Sequence, residues 1–369
     1  MAMNNTQTLV GGGNSTIKKE RSSNLELYRI IVMFLIVCHH YVINDGLGNV
    51  ASSEFTPNSL FYNLFGMWGK TGINCFVMIT GYFMCSSTIT LRKFIKLYLQ
   101  VLFYAVVLYV IFWLTGYYSF SVKDLFLKCL PFRNVVSNSF VNAFIVWWLF
   151  IPFLNAMVNN ITAKQHGNLI LLTVTLFTVY PILPICEIAV NPICWFSTLY
   201  FISSYIRKYP EKIYKAYSGK TWGGLTLVSV ITSMLSVVAI LLINQSYGKA
   251  IGIYGFVADS HKPLALLVAV CSFMFFKNIR MGYSRLINMA GGATFGVLLI
   301  HANSNAMRQW LWYDTIDCVG HYSMPGSWAY AIGCCMAVFI ICAVIDIIRL
   351  SVFEKPLFQW LDLKIFNRK

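Results

Sequence analysis

The first apolar run of the chain reads Leu27-Tyr-Arg-Ile-Ile-Val-Met-Phe-Leu-Ile-Val-Cys-His-His-Tyr-Val42, with Arg29 near its start and His40 near its end. A spacing of 11 residues turns a helix by about three full turns plus 20°, so both side chains lie on one face, about 16 Å apart along the axis. Ionisable groups at membrane depth are costly and usually face a bundle interior or a watery cavity. The spacing therefore predicts a functional site on one face of a membrane helix.

Two further residues belong to the same helix. Glu26 lies three residues before Arg29, a spacing that predicts an ion pair between them. His39 points about 80° away from this face and is the weaker candidate. The alternative interpretation of Arg29 and His40 is a buried pair that only holds helices together.

The composition indicates a membrane protein. Of the 369 residues, 58% are hydrophobic and 11% charged, and the mean hydropathy is +0.65, which leaves too little polar surface to cover a soluble globule. We predict an all-α polytopic membrane protein with about ten transmembrane helices. The ten apolar runs are residues 27–45, 71–85, 95–115, 143–158, 168–186, 191–206, 224–244, 263–276, 288–303 and 327–350.

The net charge of +15 is typical of nucleic-acid binders, but its distribution points to membrane topology instead. With the N-terminus inside, ten spans place 21 of the 28 Lys and Arg residues on the cytoplasmic side. This bias predicts that both termini are cytoplasmic and that the partners include membrane lipid and no nucleic acid. The seven external cations are Lys70, Lys123, Lys128, Arg133, Lys249, Lys262 and Arg308.

The chain divides into one membrane domain and two tails. Residues 1–24 are polar and predict a disordered cytoplasmic tail rather than a signal peptide. Residues 25–352 form the predicted ten-helix domain, and residues 353–369 a basic cytoplasmic C-terminal tail. Ser121-Val-Lys-Asp124 resembles a capping box and predicts a short interfacial helix in the connection 116–142.

Several polar or helix-breaking positions have structural interpretations. Gly72, Thr80 and Gly81 are small residues that let helices approach closely. The cysteines lack metal-type spacing and predict packing roles and no metal cofactor. Helix breaks are predicted at Pro152 and Asn155 in the fourth span, and at Pro181 and Pro184 in the fifth.

Other cations and imidazoles are candidate binding residues. Arg92, Lys93 and Lys96 begin the third span and are predicted ligands of coenzyme phosphates beside Arg29, although the positive-inside rule alone accounts for them. His301 ends the ninth span at a depth comparable to His40, where it either orients an acceptor hydroxyl or caps a helix end.

The external segment 304–326 is the other candidate region. Trp310, Trp312 and Tyr313 alternate there with amides and charges, which suits a sugar, although such aromatics are also ordinary interface anchors. The acceptor-side candidates are His301, Asn303, Asn305 and Arg308.

The distance between Arg29 and His40 suits one class of substrate. Coenzyme A is anionic at one end and carries a thioester at the other, so phosphates on Arg29 would bring the thioester to His40. A neutral imidazole in such a pocket takes a proton from an attacking hydroxyl or accepts the acyl group itself.

These residues together resemble acyltransferase family 3, the integral-membrane acyltransferases that modify bacterial surface polysaccharides. The family's Arg/Lys-x10-His signature matches Arg29 and His40, after the similar Asn24-Leu-Glu-Leu-Tyr-Arg29. Similar motifs follow in order over about residues 22–360: Gly72-Ile-Asn-Cys-Phe-Val-Met-Ile-Thr-Gly-Tyr82, Trp147-Trp-Leu-Phe-Ile-Pro-Phe-Leu-Asn155 and Phe295-Gly-Val-Leu-Leu-Ile-His301.

The resemblance implies transfer of an acyl group, acetyl or succinyl, from cytoplasmic acyl-CoA to a sugar hydroxyl, in the bacterial inner membrane. It implies an essential His40, a coenzyme-linked Arg29 and, as partners, a polysaccharide or lipid-linked sugar and other proteins of polysaccharide synthesis. The family's Arg-x-x-Arg motif is here Lys93-Phe-Ile-Lys96, which keeps the charge but loses the bidentate fork. The alternatives are a lipid-linked-sugar transporter or flippase, in which these charges form a transport pathway, and a non-catalytic synthase subunit.

Overall fold

The computed structural model describes residues 22–130, 140–182, 190–214, 218–249, 251–257 and 259–366. Within these ranges the secondary structure is entirely helical, as predicted. All ten predicted apolar runs fall mainly on helices, although residues 131–139 and 183–189, which include Pro184, lie outside the described ranges.

Five helical segments are long and apolar enough to cross a membrane alone. They are α1 (Ser23–Ile43), α5 (Leu91–Leu114), α7 (Phe140–Asn159), α11 (Gly219–Tyr247) and the C-terminal segment Ser327–Lys364, which includes α15 (Ser327–Arg349) and α16 (Lys355–Leu361).

The remaining helices are shorter. They are α2 (Leu47–Ser53), α3 (Pro57–Gly66), α4 (Gly69–Met84), α6 (Val122–Cys129), α8 (Ala163–Val174), α9 (Pro192–Lys208), α10 (Pro210–Tyr214), α12 (Pro263–Asn278), α13 (Arg285–His301) and α14 (Asn305–Arg308).

The number of spans is smaller by this measure than the ten predicted. If α13 and the segment Asn305–Thr315, which bend by 96° at a short break, count as one span, the number rises to six. A 16-residue helix such as α4 or α12 is about 24 Å long, less than the roughly 30 Å of a bilayer core. The polytopic membrane fold is supported, whereas the ten spans and the cytoplasmic termini remain predictions.

Helix α1 lies at the centre of the bundle. It packs against α3, α4, α12, α13 and α15. Glycines on α4 permit this close approach, because a Cβ on Gly72 would lie 2.8 Å from the Ile36 side chain. The predicted packing role of Gly72 is therefore confirmed. Gly81 likewise permits close packing of α4 against α9, where it faces Ser203. Seven of the ten described free cysteines are buried, in agreement with their predicted packing role.

The predicted helix breaks have different outcomes. The prediction for Pro152 was wrong, because α7 continues through it from Phe140 to Asn159. Asn155 does not break α7 either; it donates to the Met84 carbonyl oxygen at 3.1 Å and accepts from the Tyr200 hydroxyl. Near Pro181 the break is confirmed, since α8 gives way to a π-helical turn and then to a single 3₁₀ turn.

Both predicted tails border on helical structure. The first helix begins at Ser23, so the last two residues of the predicted N-terminal tail are helical, while residues 1–21 lie outside the described ranges. At the other end, π-helical turns at Leu350–Glu354 and Asp362–Phe366 continue α15 and α16. The short helix predicted after Ser121 is α6, with Ser121 Oγ accepting from the Asp124 amide at 3.1 Å.

Candidate active site

Two histidines that are far apart in the chain meet at the C-terminal end of α1. His40 Nδ1 lies 2.9 Å from His301 Nε2, and His301 Nδ1 lies 2.6 Å from the Val297 carbonyl oxygen. A carbonyl oxygen only accepts, so His301 Nδ1 carries a proton and, in the neutral ring, Nε2 is an acceptor. His40 Nδ1 therefore donates to His301. The remaining nitrogen, His40 Nε2, keeps its lone pair.

The helix packing holds this pair in place. His40 lies on α1 and His301 is the last residue of α13, and these two helices pack directly against each other. The His301 ring is fully buried, and the Trp312 ring meets it edge-on with a centroid separation of 6.3 Å. Trp312 is thus a core residue behind His301, not the exposed sugar platform or interface anchor that the sequence suggested.

A cavity of about 510 Å³ lies beside His40. From α1, it is lined by Met33, Ile36 and His40, which follow Arg29 on the same helical stripe at positions i+4, i+7 and i+11. Phe76 of α4 also lines the cavity, and the Arg29 guanidinium carbon is 5.9 Å from its ring centroid. The part of the predicted face from Met33 to His40 therefore lines a cavity, and Arg29 lies near Phe76, another residue of the cavity lining.

Glu26 and Arg29 form the predicted ion pair. Arg29 Nη1 lies 3.1 Å from Glu26 Oε2, and the Glu26 side chain is only 6% exposed. A Cβ on Gly291 of α13 would lie 2.5 Å from the same carboxylate oxygen and 2.8 Å from Glu26 Cβ. The glycine thus lets α13 approach α1 closely at the level of this ion pair. At the other end of the two helices, the contact is the hydrogen bond between His301 and His40.

His39 contributes more to the site than its angle suggested. Its Nδ1 donates to the Gly66 carbonyl oxygen at 2.5 Å, which ties α1 to the end of α3. The ring also lines the His40 cavity, next to Gly69, where any side chain would collide with it.

Three of the four acceptor-side candidates line this cavity, and the fourth, His301, is hydrogen-bonded to His40. Asn303, Asn305 and Arg308 all line it, and they follow the end of α13 directly. Ser304 Oγ accepts from the Met307 amide at 3.2 Å and so begins α14, which orients this stretch after the 96° bend. The structure thus brings these residues to His40, while their contacts with an acceptor remain a prediction.

The cations of α5 are not part of this cavity. Arg92 Nε and Nη2 each donate to an Asp362 carboxylate oxygen at 2.7 Å, and Lys96 Nζ lies 2.7 Å from Glu354 Oε1. Both acidic residues belong to the C-terminal segment, more than 250 positions away in sequence, so the sequence gave no sign of these pairs.

Lys93 contacts neither of these carboxylates and bonds instead to residues just before α5. Its ammonium donates to the Ser87 hydroxyl and the Thr88 carbonyl oxygen, each at 2.6 Å. Although Lys93 and Lys96 are three residues apart on one helix, they thus bind different partners. The predicted phosphate contacts of Arg92, Lys93 and Lys96 remain predictions.

A buried charge network was missed by the sequence analysis. Arg349 Nε donates to Asp346 Oδ1 at 2.8 Å and Arg349 Nη1 to Glu354 Oε2 at 2.7 Å, while the Tyr104 hydroxyl donates to Asp346 Oδ1 at 2.8 Å. The Asp346 and Arg349 side chains are 0% and 3% exposed. The available signal was their i,i+3 spacing at the end of the last apolar run.

Lys70 is the other residue that sequence analysis passed over. It was counted only among the external cations, yet it lines the His40 cavity together with Arg308. Both belong to the minority of seven cations on the predicted external side, which was the signal that could have selected them.

A second cavity lies behind His301. Its volume is about 540 Å³, and its walls come mainly from the C-terminal half of α5, the segment 307–316 and residues 334–345 of α15. Its lining is almost wholly apolar and includes Phe112, Met307, Trp310, Val338 and Ile341. His301 lines this apolar cavity, which lies between two candidate membrane spans, and is hydrogen-bonded to His40, which lines the first cavity.

Comparisons with known proteins identify the family of the chain. Residues 22–346 match the family model of the acyltransferase domain of acyltransferase family 3, a range that contains Arg29, His40 and His301. No curated protein and no solved structure matches the chain. The matched range covers most of the 369 residues. The chain therefore belongs to acyltransferase family 3, and it is a membrane enzyme that transfers acyl groups other than aminoacyl groups.

Proposed function

We propose that the enzyme moves a short acyl group, acetyl in the first place, from cytoplasmic acyl-CoA to a sugar hydroxyl of a cell-surface polysaccharide or its lipid-linked precursor. The observation that carries this proposal is the lone pair of His40 Nε2, oriented by His301, on the α1 face that also carries Arg29. The family assignment favours the enzyme over the transporter and synthase-subunit alternatives. The proposed location is the bacterial inner membrane.

The proposed chemistry is direct transfer with His40 as general base. His40 Nε2 takes the proton of the sugar hydroxyl while the hydroxyl oxygen attacks the thioester carbonyl carbon. The carbon–sulfur bond then breaks, and the leaving thiolate of coenzyme A takes the proton back from the imidazolium. No proton is gained or lost overall. The hydrogen bond from His40 Nδ1 to His301 keeps the ring in the required tautomer throughout.

Arg29 is the proposed phosphate contact of the coenzyme. Its distance of about 16 Å from His40 along the axis suits a donor that is anionic at one end and reactive at the other. Glu26 would hold the guanidinium in place until the donor binds. Additional contacts from Arg92, Lys93 and Lys96 require those cations to exchange their present partners for phosphate.

We expect Arg29→Gln to raise the KM for acetyl-CoA about ten- to hundredfold, because a charge-assisted contact to phosphate is lost, with a smaller effect on kcat. The measurement is transfer of labelled acetyl from acetyl-CoA to surface polysaccharide by the purified protein in lipid. Arg280→Gln is the control, because Arg280 is an exposed cation outside α1. If folded wild-type protein neither transfers label nor binds acyl-CoA, the proposed function fails.

The apolar cavity supports a lipid-linked acceptor. It lies between α5 and α15, two candidate membrane spans, so a hydrocarbon chain can reach it from the bilayer. We propose that it holds the hydrocarbon chain of a lipid-linked sugar, with the sugar hydroxyl at His40. His301 lies on its wall and is hydrogen-bonded to His40, so a chain bound there would lie next to the proposed reaction.

Filling this cavity tests the lipid-linked form. We expect Ile341→Trp to raise the KM for a lipid-linked sugar about tenfold, because the indole takes the volume of the chain, and to leave transfer to a water-soluble sugar unchanged. Ile340→Trp is the matched control, since Ile340 is similarly exposed on the same helix but does not line the cavity. An equal loss with both acceptors would instead assign the cavity to helix packing.

A further inference from the structure

Two cations line the His40 cavity, and no carboxylate of the described part of the chain pairs with either. Lys70 follows Gly69 at the start of α4, and Arg308 is the last residue of α14. Among the described residues, neither forms an ion pair within 4 Å, and the buried Nε of Arg308 has no hydrogen-bond partner. No aspartate or glutamate is found among the described residues that line this cavity.

This arrangement differs from that of Arg349, which is a buried cation. Its Nε and Nη1 lie 2.8 and 2.7 Å from carboxylate oxygens of Asp346 and Glu354. Asp259 lines a second cavity, of about 190 Å³, that Lys70 also lines, yet the two residues form no ion pair within 4 Å. Two positive charges in a partly enclosed, partly apolar space are costly unless an anion joins them.

We propose that Lys70 and Arg308 form a subsite for an anionic group of the substrate, a carboxylate or a phosphate, held beside the atom that reacts at His40. The inference rests on the proposed function only in taking this cavity as the place of transfer. An anionic group of this kind can belong to either of two parts of the substrate. It belongs to the acceptor, as an acidic or phosphorylated sugar, or to the acyl group, as the free carboxylate of a dicarboxylic acid.

Asn303 and Asn305 complement the two cations. Both line the cavity next to Arg308, and their side-chain amides can bind the neutral hydroxyls of a sugar. Asn303 Nδ2 donates to the Leu299 carbonyl oxygen at 3.1 Å, which leaves its Oδ1 available as an acceptor. The subsite thus combines charge recognition with hydroxyl recognition, as an anionic sugar requires.

The test measures binding without acyl transfer. Glucuronate, glucose 1-phosphate, succinate and neutral glucose are titrated onto the purified protein in lipid nanodiscs, and binding is followed by ligand-observed NMR. We expect at least one anionic probe to bind about tenfold or more tightly than glucose, and Lys70→Gln and Arg308→Gln each to weaken it about ten- to hundredfold. Binding of glucuronate or glucose 1-phosphate assigns the anion to the acceptor, and binding of succinate alone assigns it to the acyl group.

The controls separate this subsite from other cations. Lys123→Gln removes an exposed charge on α6 outside the cavity and should leave probe binding unchanged. Binding that survives Lys70→Gln and Arg308→Gln but disappears in Arg29→Gln would put the anion at the coenzyme end and overturn the proposal. Equal binding of glucose, or no binding of any anionic probe, would overturn it as well.

Acyl-transfer kinetics distinguish the subsite from a purely chemical role of Arg308. If Arg308 only stabilises the developing oxyanion, Arg308→Gln lowers kcat equally for neutral and anionic substrates, which contradicts the proposal. If the subsite exists, the loss appears in the KM of the anionic substrate. Probe binding that depends on both cations in a protein without acyl transfer would uphold the subsite and refute the proposed function, so the two failures are distinguishable.

Discussion

His40→Ala should reduce acyl transfer at least about a thousandfold, because the general base of the proposed reaction is removed. His40→Gln should be equally inactive, since an amide can replace the hydrogen bond to His301 but cannot take a proton. The measurement is label transfer from acetyl-CoA at saturating donor and acceptor. His321→Ala is the matched control, because His321 stacks on Tyr330 outside the cavity.

Because His301 positions His40 and does not itself react, its variants should change the kinetic constants differently. His301→Leu should lower kcat about ten- to hundredfold with little change in either KM, because the His40 ring loses its fixed tautomer while the binding groups stay in place. His301→Gln should recover part of this loss, since its amide oxygen can accept from His40 Nδ1 and its amide nitrogen can donate toward Val297. A purely structural role would show no such recovery.

Two results would contradict the base mechanism. The first is a His40→Ala protein with more than a tenth of wild-type activity. The second is labelled protein after incubation with labelled acetyl-CoA and no acceptor, with the label on His40. That result would make His40 a transient acyl carrier, the other role its lone pair permits.

The part of the site carried by α1 was predictable from the sequence. Glu26, Arg29 and His40 lie within one helix, so the helical period alone fixes their relative directions, and the part of their face from Met33 to His40 lines a cavity. The small residues of α4 were also predictable, because close helix packing requires them. Both inferences needed only local geometry.

The contacts between distant segments were not predictable in this way. His40 and His301 are 261 positions apart, and a shared depth did not establish that they touch. Lys96 and Arg92 looked like phosphate ligands because their carboxylate partners, Glu354 and Asp362, lie in a segment whose packing the sequence does not reveal. Pro152 shows a related limit, since a proline removes one backbone hydrogen bond and a helix can continue past it.

The buried network at the end of α15 leads to the largest expected effect on stability. Arg349→Met leaves the Asp346 carboxylate buried, with only the Tyr104 hydroxyl and, at 3.3 Å, the Gln100 amide as described partners. Removing one member of a buried ion pair typically costs about 3–5 kcal/mol, so we expect a marked fall in the thermal unfolding midpoint in lipid nanodiscs. Arg92→Met breaks an exposed pair instead and should change the midpoint little.

The double variant Asp346→Asn/Arg349→Met separates charge from packing. If the lone buried carboxylate causes the loss, neutralising it should restore most of the stability, because Glu354 keeps its contact with Lys96. If the double variant is as unstable as Arg349→Met, lost packing of the arginine accounts for the effect. Asp346 also faces Gly296 of α13, five residues before His301, so the network fixes the helix that carries the second histidine. Arg349→Met should therefore lower kcat as well, and the double variant should restore it together with stability.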